Sequence, residues 1–540
     1  MKEKPIINTF EDGSKIWNHT FDTFKVKVYV PTTDLPEKTI NYGFDAPYLL
    51  VFEDIELGND EAKQYAKQYG LADIASANAS SVVYIYPTCS GGWKNATDAL
   101  WIELISKSKI HEYYEDGYAI LNNRFTKECE GYAIRGAIYR TYLFGKNSSA
   151  DYIATHLLKT IEGDGLWGKA DIIPAGCVLE GLSVSPDIQR RDMPITSINN
   201  TASIDAYIKE HTDYYYNKSS DYSTIYYDFL RKTHRWGWHG ELKATPDLSE
   251  LGMLEEPNVI TIPTSNDNVS IFKGTKSYDM GYITYYNKGL FDKGPAPLLL
   301  CFHGGGDSAK YIAKIAEWYR VANKHDFLLV CVENHLNITA TEIVSLTNHL
   351  KSKYAIDESR IYATGFSMGG CKSWDLYQEY PNVFAGLAPM DATFDVGHNI
   401  FDNKVSKEIN KDTLVPIFYA GGEITPLPEL PFQAQKCLDR MAYVLDVNNA
   451  TKSYNVKLED KESWENSIWG INGDYSETDY DEEQQGTLTM QYFLSNDNNC
   501  YTVFASIDNQ GHECRYHTCE HAWTFLSKFI RTDEGIQIIK

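Results

Sequence analysis

Arg360-Ile361-Tyr362-Ala363-Thr364-Gly365-Phe366-Ser367-Met368-Gly369-Gly370 is the stretch on which the reading of this chain turns. A β-prone apolar run meets a Gly-x-Ser-x-Gly sequence, and a helical pattern begins near Cys371. Strand, tight turn and helix in that order make a nucleophile elbow, in which a serine is held out of a strained turn. Gly365 and Gly369 flank the turn where side chains would collide, so that Ser367 can adopt the strained conformation with its Oγ exposed. The five-residue pattern is common by chance as an ordinary turn, so its surroundings decide its meaning.

Acyl transfer at a serine needs a base for its proton, an acid to orient that base, and donors for the charge that develops on the carbonyl oxygen. The second half of the chain offers each, in the order Ser, acid, His. His303-Gly304-Gly305-Gly306 directly follows the apolar strand Pro297 to Phe302. Its glycines let backbone N–H groups from Gly304 to Gly306 approach a substrate, and Met368, next to the nucleophile, supplies a second N–H. A phosphate loop is the other reading of such glycines, but Asp307-Ser308-Ala309 follows where Gly-Lys-Ser/Thr would be needed.

The base is expected at His512, in Asp508-Asn509-Gln510-Gly511-His512-Glu513, between the apolar run Tyr501 to Ala505 and a closing helix. His512, Cys514, His517, Cys519 and His521 also raise the question of zinc. Their spacing matches no common structural site and no second cysteine pair lies near, so no metal is expected. His517 and His521, one helical turn apart, are expected to cap or line the start of the last helix. For the acid, Glu423 is the choice, since it follows the strand Val415 to Ala420 and Gly421-Gly422. Glu429, Asp446 and Asp391 stand as rivals.

Further out, the chain repeats itself at a period of about half its length. Ala46-Pro47-Tyr48-Leu49-Leu50-Val51-Phe52 matches Ala296-Pro297-Leu298-Leu299-Leu300-Cys301-Phe302, and Ser81 to Pro87 matches Phe327 to Val332. Tyr139 to Ser149 falls beside the elbow, and Met193 to Ser197 beside Val415 to Tyr419. The common order of matches implies two α/β domains, 1–245 and 246–540, each with a mainly parallel sheet and helices on both faces. The first copy has lost the chemistry. Glu53-Asp54 stands in place of His303-Gly304, Asn147 in place of Ser367 (a one-residue slip would bring Ser148 or Ser149 there), and no Gly-His pair precedes its last helix. It is read as a catalytically inactive domain, either a substrate or interface platform or a scaffold.

Bulk properties agree with a multidomain globular chain. With 540 residues it is too long for one core. Its 50 basic and 74 acidic residues leave a net charge of -24, which repels nucleic acid and anionic membrane. No apolar run approaches the ~20 residues of a membrane span. Met1-Lys2-Glu3-Lys4-Pro5-Ile6-Ile7-Asn8 lacks the apolar segment of a signal peptide, so a cytoplasmic protein is expected. The 10 irregularly spaced cysteines fit buried thiols rather than a disulfide framework, and the 39 tyrosines fit packing better than a stacking surface.

The stretch Ile356 to Gly370, the segment Leu300 to Gly306 and Gly511-His512 together resemble the α/β-hydrolase superfamily, specifically its branch of polyhydroxybutyrate-depolymerase-like and feruloyl or acetyl esterases. The resemblance covers about residues 270 to 540. It implies a serine esterase without a cofactor, acting on a small acyl ester, with Ser367, His512 and Glu423 as triad and Met368, Gly304 and Gly305 at the oxyanion hole. This chain departs from that branch in having Glu423 where Asp is usual, Cys371 after the elbow, and an acidic, aromatic insertion over 457–490. That insertion reads either as a cap over the pocket or as a solvated excursion. A serine peptidase of the same fold and an inactive binding or scaffold protein are the competing expectations.

Overall fold

The computed structural model describes residues 6–35, 40, 45–109, 140–165, 168–235, 240–264, 276–305, 307–333, 335, 338–399, 404–405 and 409–539. The chain divides into two compact units, Met1–Asp247 and Leu248–Lys540.

Among the described residues, the main sheet of the first unit contains β1 (Lys15–Thr20), β2 (Phe24–Val30), β3 (Tyr48–Phe52), β4 (Val82–Pro87), β5 (Thr141–Lys146), β6 (Gly176–Glu180), β7 (Ile195–Ile198) and β8 (Tyr215–Tyr216). They lie in the order β1-β2-β4-β3-β5-β6-β7-β8, with a two-residue pairing at Asn8–Thr9 on the outer edge of β1. From β4 to β8 all neighbours are parallel, and helix α1 (Ser148–His156) follows β5. The central strands are buried on both faces, which is why they read as unbroken apolar runs. Leu50 and Phe52 of β3 point into one apolar layer, Leu49 and Val51 into the other.

The second unit repeats this plan and extends it. Its strands are β9 (Met253–Pro263), β10 (Ser277–Asn287), β11 (Ala296–Phe302), β12 (Leu328–Val332), β13 (Ile356–Phe366), β14 (Gly386–Met390), β15 (Ile417–Gly422), β16 (Tyr475–Asp481), β17 (Gly486–Leu494) and β18 (Cys500–Ile507). Their order is β9-β10-β12-β11-β13-β14-β15-β18-β17-β16. Leaving out β16 and β17, this is the order of the first unit. All four pairs of matching segments in the sequence fall on strands at corresponding positions of the two sheets.

Much of the insertion is solvent-exposed, as one of the two expectations had it, but it is not a free excursion. Part of it forms β16, which pairs antiparallel with β17 and widens the sheet beyond β18. Trp469 within it is buried and stacks on Phe504 of β18, with ring centroids 5.3 Å apart. Trp469 therefore serves packing, whereas Tyr475 and Tyr480 of β16 are exposed. Among the described residues no helix is long and apolar enough to cross a membrane.

Candidate active site

β13 runs parallel between β11 and β14, with Phe302 opposite Gly365 and Met390 opposite Phe366. The chain therefore leaves β13 at the carboxyl edge of the sheet, where parallel α/β sheets carry their sites. Ser367 comes next, with φ 54° and ψ -120°, and its carbonyl accepts the first bond of helix α2 (Met368–Glu379) from Cys371 N–H at 3.0 Å. For a residue with a side chain this conformation costs on the order of 1–3 kcal/mol, so the neighbours must enforce it. They do so by contact. A Cβ on Gly365 would lie 2.2 Å from the carbonyl oxygen of Gly369, and one on Gly369 would lie 2.0 Å from that of Phe302. Only glycine lets the helix start this close to the strand ends.

His512 lies between β18 and helix α3 (Tyr516–Leu526). Its Nε2 is 2.8 Å from Ser367 Oγ, and its ring packs on Phe366 with centroids 4.7 Å apart. The backbone of the His512 loop presses on β15, where a Cβ on Gly422 would come within 2.2 Å of the Gly511 carbonyl oxygen. Burial pushes the imidazole down to about 4, against the pull of the Asp307 carboxylate. It is therefore neutral at neutral pH, the form a general base requires.

The acid facing this histidine is Glu429, not Glu423. His512 Nδ1 is hydrogen-bonded to Glu429 Oε1, whereas Glu423 Oε1 accepts from Ser506 Oγ at 2.7 Å. The reason lies in the backbone. The N–H groups of Glu423 and Ile424 still bond Ile507 O and Gln510 O, so the chain continues alongside β18 and Glu423 is directed at its strand neighbour. Only after Thr425-Pro426-Leu427-Pro428 does the loop return an acid to the histidine. That loop is pinned by Gln433, whose Oε1 accepts from the N–H groups of Glu429 and Leu430 and whose Nε2 donates to Thr425 O. Tyr419 Oη donates to the Glu429 carbonyl at 2.6 Å, and Thr425 Oγ1 donates to its carboxyl at 3.1 Å.

A second acid stands behind the first. Asp391, at the end of β14, is buried and bonded to the Glu429 carboxyl, and its Oδ1 accepts the Gly422 N–H at 3.1 Å. Burial, then the charge of Glu429, holds Asp391 well above the ordinary carboxyl range. Burial also raises Glu429, and the hydrogen bond from Asp391 pulls it back. Two carboxyls can share a hydrogen bond only through a proton. Asp391 carries it, which leaves Glu429 as the acceptor for the imidazole.

The glycine segment adjoins the elbow. A Cβ on Gly305 would touch the Met368 side chain at 3.2 Å, and one on Gly304 would meet Phe366 at 3.1 Å. Gly306 lies outside the described residues. Met368, first in helix α2, has an N–H without an acceptor inside the helix. Two residues that sequence reasoning did not name hold the segment from behind. His335 Nε2 donates to His303 O at 2.6 Å, and Glu333 accepts the Ala309 N–H at 3.1 Å. The available signal was a pair of polar residues just past the apolar run of β12. Asp446, the remaining rival for the acid, falls within the helix Gln435–Val447, and the partner of His512 Nδ1 is Glu429.

The corresponding turn of the first unit keeps the backbone and not the chemistry. Asn147 has φ 51° and ψ -118°, nearly the angles of Ser367. Ser148 Oγ donates to Asp54, and Ser149 Oγ donates to Lys146 O at 2.9 Å. Lys146, the counterpart of Phe366, bonds Tyr69 Oη at 2.7 Å and Glu180 at 3.2 Å, with Nζ 4.1 Å above the Tyr69 ring. After β8 the chain reads Asn217-Lys218-Ser219-Ser220-Asp221 and brings no histidine.

No family model matches the chain. Among curated proteins it is similar to a bifunctional acetylxylan esterase/xylanase of Neocallimastix patriciarum, 26% identical over 136 residues that make up 24% of this chain and 19% of that protein. It is also similar to poly(3-hydroxyalkanoate) depolymerase C of Paucimonas lemoignei, 31% identical over 114 residues, 18% of this chain and 27% of that protein. The matched stretches thus span less than a third of either relative. Solved structures similar to it include the acetyl xylan esterase from Aspergillus awamori, with 12% identity over 50% of this chain and 99% of that one at a TM-score of 0.34. Another is an S-formylglutathione hydrolase from Agrobacterium tumefaciens, with 12% identity over 51% of this chain and 92% of that one at a TM-score of 0.29.

Proposed function

We propose that this chain is a serine carboxylic ester hydrolase working through an acyl-enzyme at Ser367. The observation that carries the reading is the continuous relay from Ser367 Oγ to His512 Nε2, at 2.8 Å, and from His512 Nδ1 to Glu429. Ser367 Oγ attacks the ester carbonyl while His512 takes its proton, and Glu429 holds the ring and stabilises the imidazolium. The oxyanion is met by the Met368 N–H and by an N–H of the Gly304–Gly305 segment. His512 then protonates the departing alcohol. Water, deprotonated by the same imidazole, releases the acid and restores Ser367. Each step uses only side chains and backbone of this unit, so no cofactor is needed.

The substrate class we favour is a small acyl ester of acetyl, feruloyl or hydroxyacyl type, the first and last being the kinds named for the two curated relatives. The first unit has no part in the chemistry on this reading, since Asn147 occupies the elbow and Lys146 is held by Tyr69 and Glu180 beside it. Ser367→Ala is expected to abolish hydrolysis of p-nitrophenyl acetate while leaving the circular dichroism spectrum and thermal midpoint unchanged. Full activity in that variant, or cleavage of a peptide panel with silent esters in the parent, would overturn the proposal.

A further inference from the structure

His517 and His521, one turn apart on α3, both direct Nε2 at the same oxygen of Asp479, at 2.9 and 2.8 Å. Asp479 belongs to β16, the outermost strand of the widened sheet. The two imidazoles are largely covered, with side-chain exposures of 20% and 26%, while Asp479 is 53% exposed. Their rings are 4.9 Å apart and inclined at 79°, so they approach the carboxylate from different directions. One histidine suffices for a hydrogen bond to an exposed aspartate. Two converging on one oxygen make a half-built coordination shell. The three ligand atoms lie within 4.8 Å of one another, and among the described residues no other three His, Cys, Asp or Glu side chains are grouped this closely.

We infer that Asp479, His517 and His521 form a binding site for a divalent first-row transition ion, zinc in the first instance. Histidines at i and i+4 on one helix face offer two nitrogens to one ion. Two imidazoles and a carboxylate suit zinc, nickel and copper better than magnesium or calcium, which prefer all-oxygen shells. Zinc bonds of about 2.0–2.2 Å in tetrahedral directions require ligand atoms roughly 3.4 Å apart. The Asp479 carboxylate must therefore withdraw by a few tenths of an ångström when the ion enters, which an exposed side chain on an edge strand can do. Water fills the remaining position. Such an ion would bridge β16 to the first turns of α3, the helix that follows the His512 loop, and it uses none of the side chains assigned to ester hydrolysis. The local spacing argued against a metal because the third ligand is absent from it; the sheet supplies that ligand from 38 residues away.

Full-length chain stripped with EDTA and titrated with ZnCl2 in a calorimeter tests the inference, with CoCl2 giving a visible d–d spectrum as a second readout. About one tight equivalent of zinc is expected. Asp479→Asn and His521→Gln should each weaken it at least about tenfold. Zinc should also raise the thermal midpoint of the parent and leave that of the variant combining Asp479→Asn, His517→Gln and His521→Gln unmoved. Equal zinc affinity in the parent and the triple variant, or no binding in the parent below roughly 1 mM, would overturn it.

Discussion

His512 is bonded through Nδ1 to Glu429, and behind Glu429 stands the buried carboxyl of Asp391. Three groups therefore share two protons between the nucleophile and the core, and each makes a separate prediction. Glu429→Gln should lower kcat for p-nitrophenyl acetate on the order of 10³–10⁴-fold, because an amide can hold the wrong imidazole tautomer. Glu423→Gln should cost less than about threefold, since that carboxyl bonds Ser506 and not the histidine. Asp391→Asn mimics the protonated acid. It keeps an acceptor for the Gly422 N–H and a donor for Glu429, so kcat should stay within about threefold of the parent, whereas Asp391→Leu loses both.

Stability should report the same proton. Asp391 is raised from the ordinary 3.8 by burial, so it binds its proton more tightly folded than unfolded. Its stabilisation is complete below about pH 4 and is lost as pH rises toward its folded value. In urea unfolding, the parent should lose up to about 1.4 kcal/mol per pH unit relative to Asp391→Asn above pH 4. A flat difference between the two across pH 4 to 7 would show that Asp391 is ionised in the fold. The His512 imidazole, lowered by burial, sets the acid limb of kcat/KM below the 6.5 of a free imidazole.

At the scale of elements, the elbow is held by close backbone approach. Gly369→Ala would push a methyl into the Phe302 carbonyl, 2.0 Å away, and backbone cannot yield as a side chain does. The expected loss is on the order of 3 kcal/mol or more, read as a lower denaturation midpoint, with esterase activity falling alongside. The first unit offers the converse test. Asn147 bears the same strained angles with no side-chain cap bond to offset them. Asn147→Gly should therefore stabilise by about 1 kcal/mol without affecting hydrolysis. Elements of this kind were legible because glycines, apolar runs and their order are local signals. The corresponding strands Tyr48–Phe52 and Ala296–Phe302 are legible in the sequence as matching apolar runs. The fate of the insertion was not legible, since β16 is exposed along almost its whole length and carries no apolar alternation. Its pairing with β17 supplies what its side chains do not.

For the molecule as a whole, two units of one strand order carry, among the described residues, one Ser–His–Glu relay, the one proposed to be catalytic. A fluorophosphonate probe should therefore add about one label per chain, at Ser367, and none at Ser148 or Ser149, whose hydroxyls are committed to Asp54 and Lys146 O. Intact-mass and peptide mass spectrometry would count and locate the adduct. A second label in the first unit would mean that its elbow is still chemically competent.

What the sequence determined by itself was everything written in contiguous residues: the elbow at Ser367, the glycine segment after β11, the histidine before α3, and the twofold plan of the chain. These depend on backbone geometry within a few residues of each other, and amino-acid type reports that geometry directly. What only the tertiary structure decided were the partners that arrive across long loops. Glu429 displaced Glu423 because the backbone stays bonded for two residues past the strand, to the end of β18 at Ile507 and to the His512 loop at Gln510, and two prolines then turn it back. Asp391 joined Glu429, and Asp479 joined His517 and His521, because neighbouring strands end side by side at distances that no local spacing records.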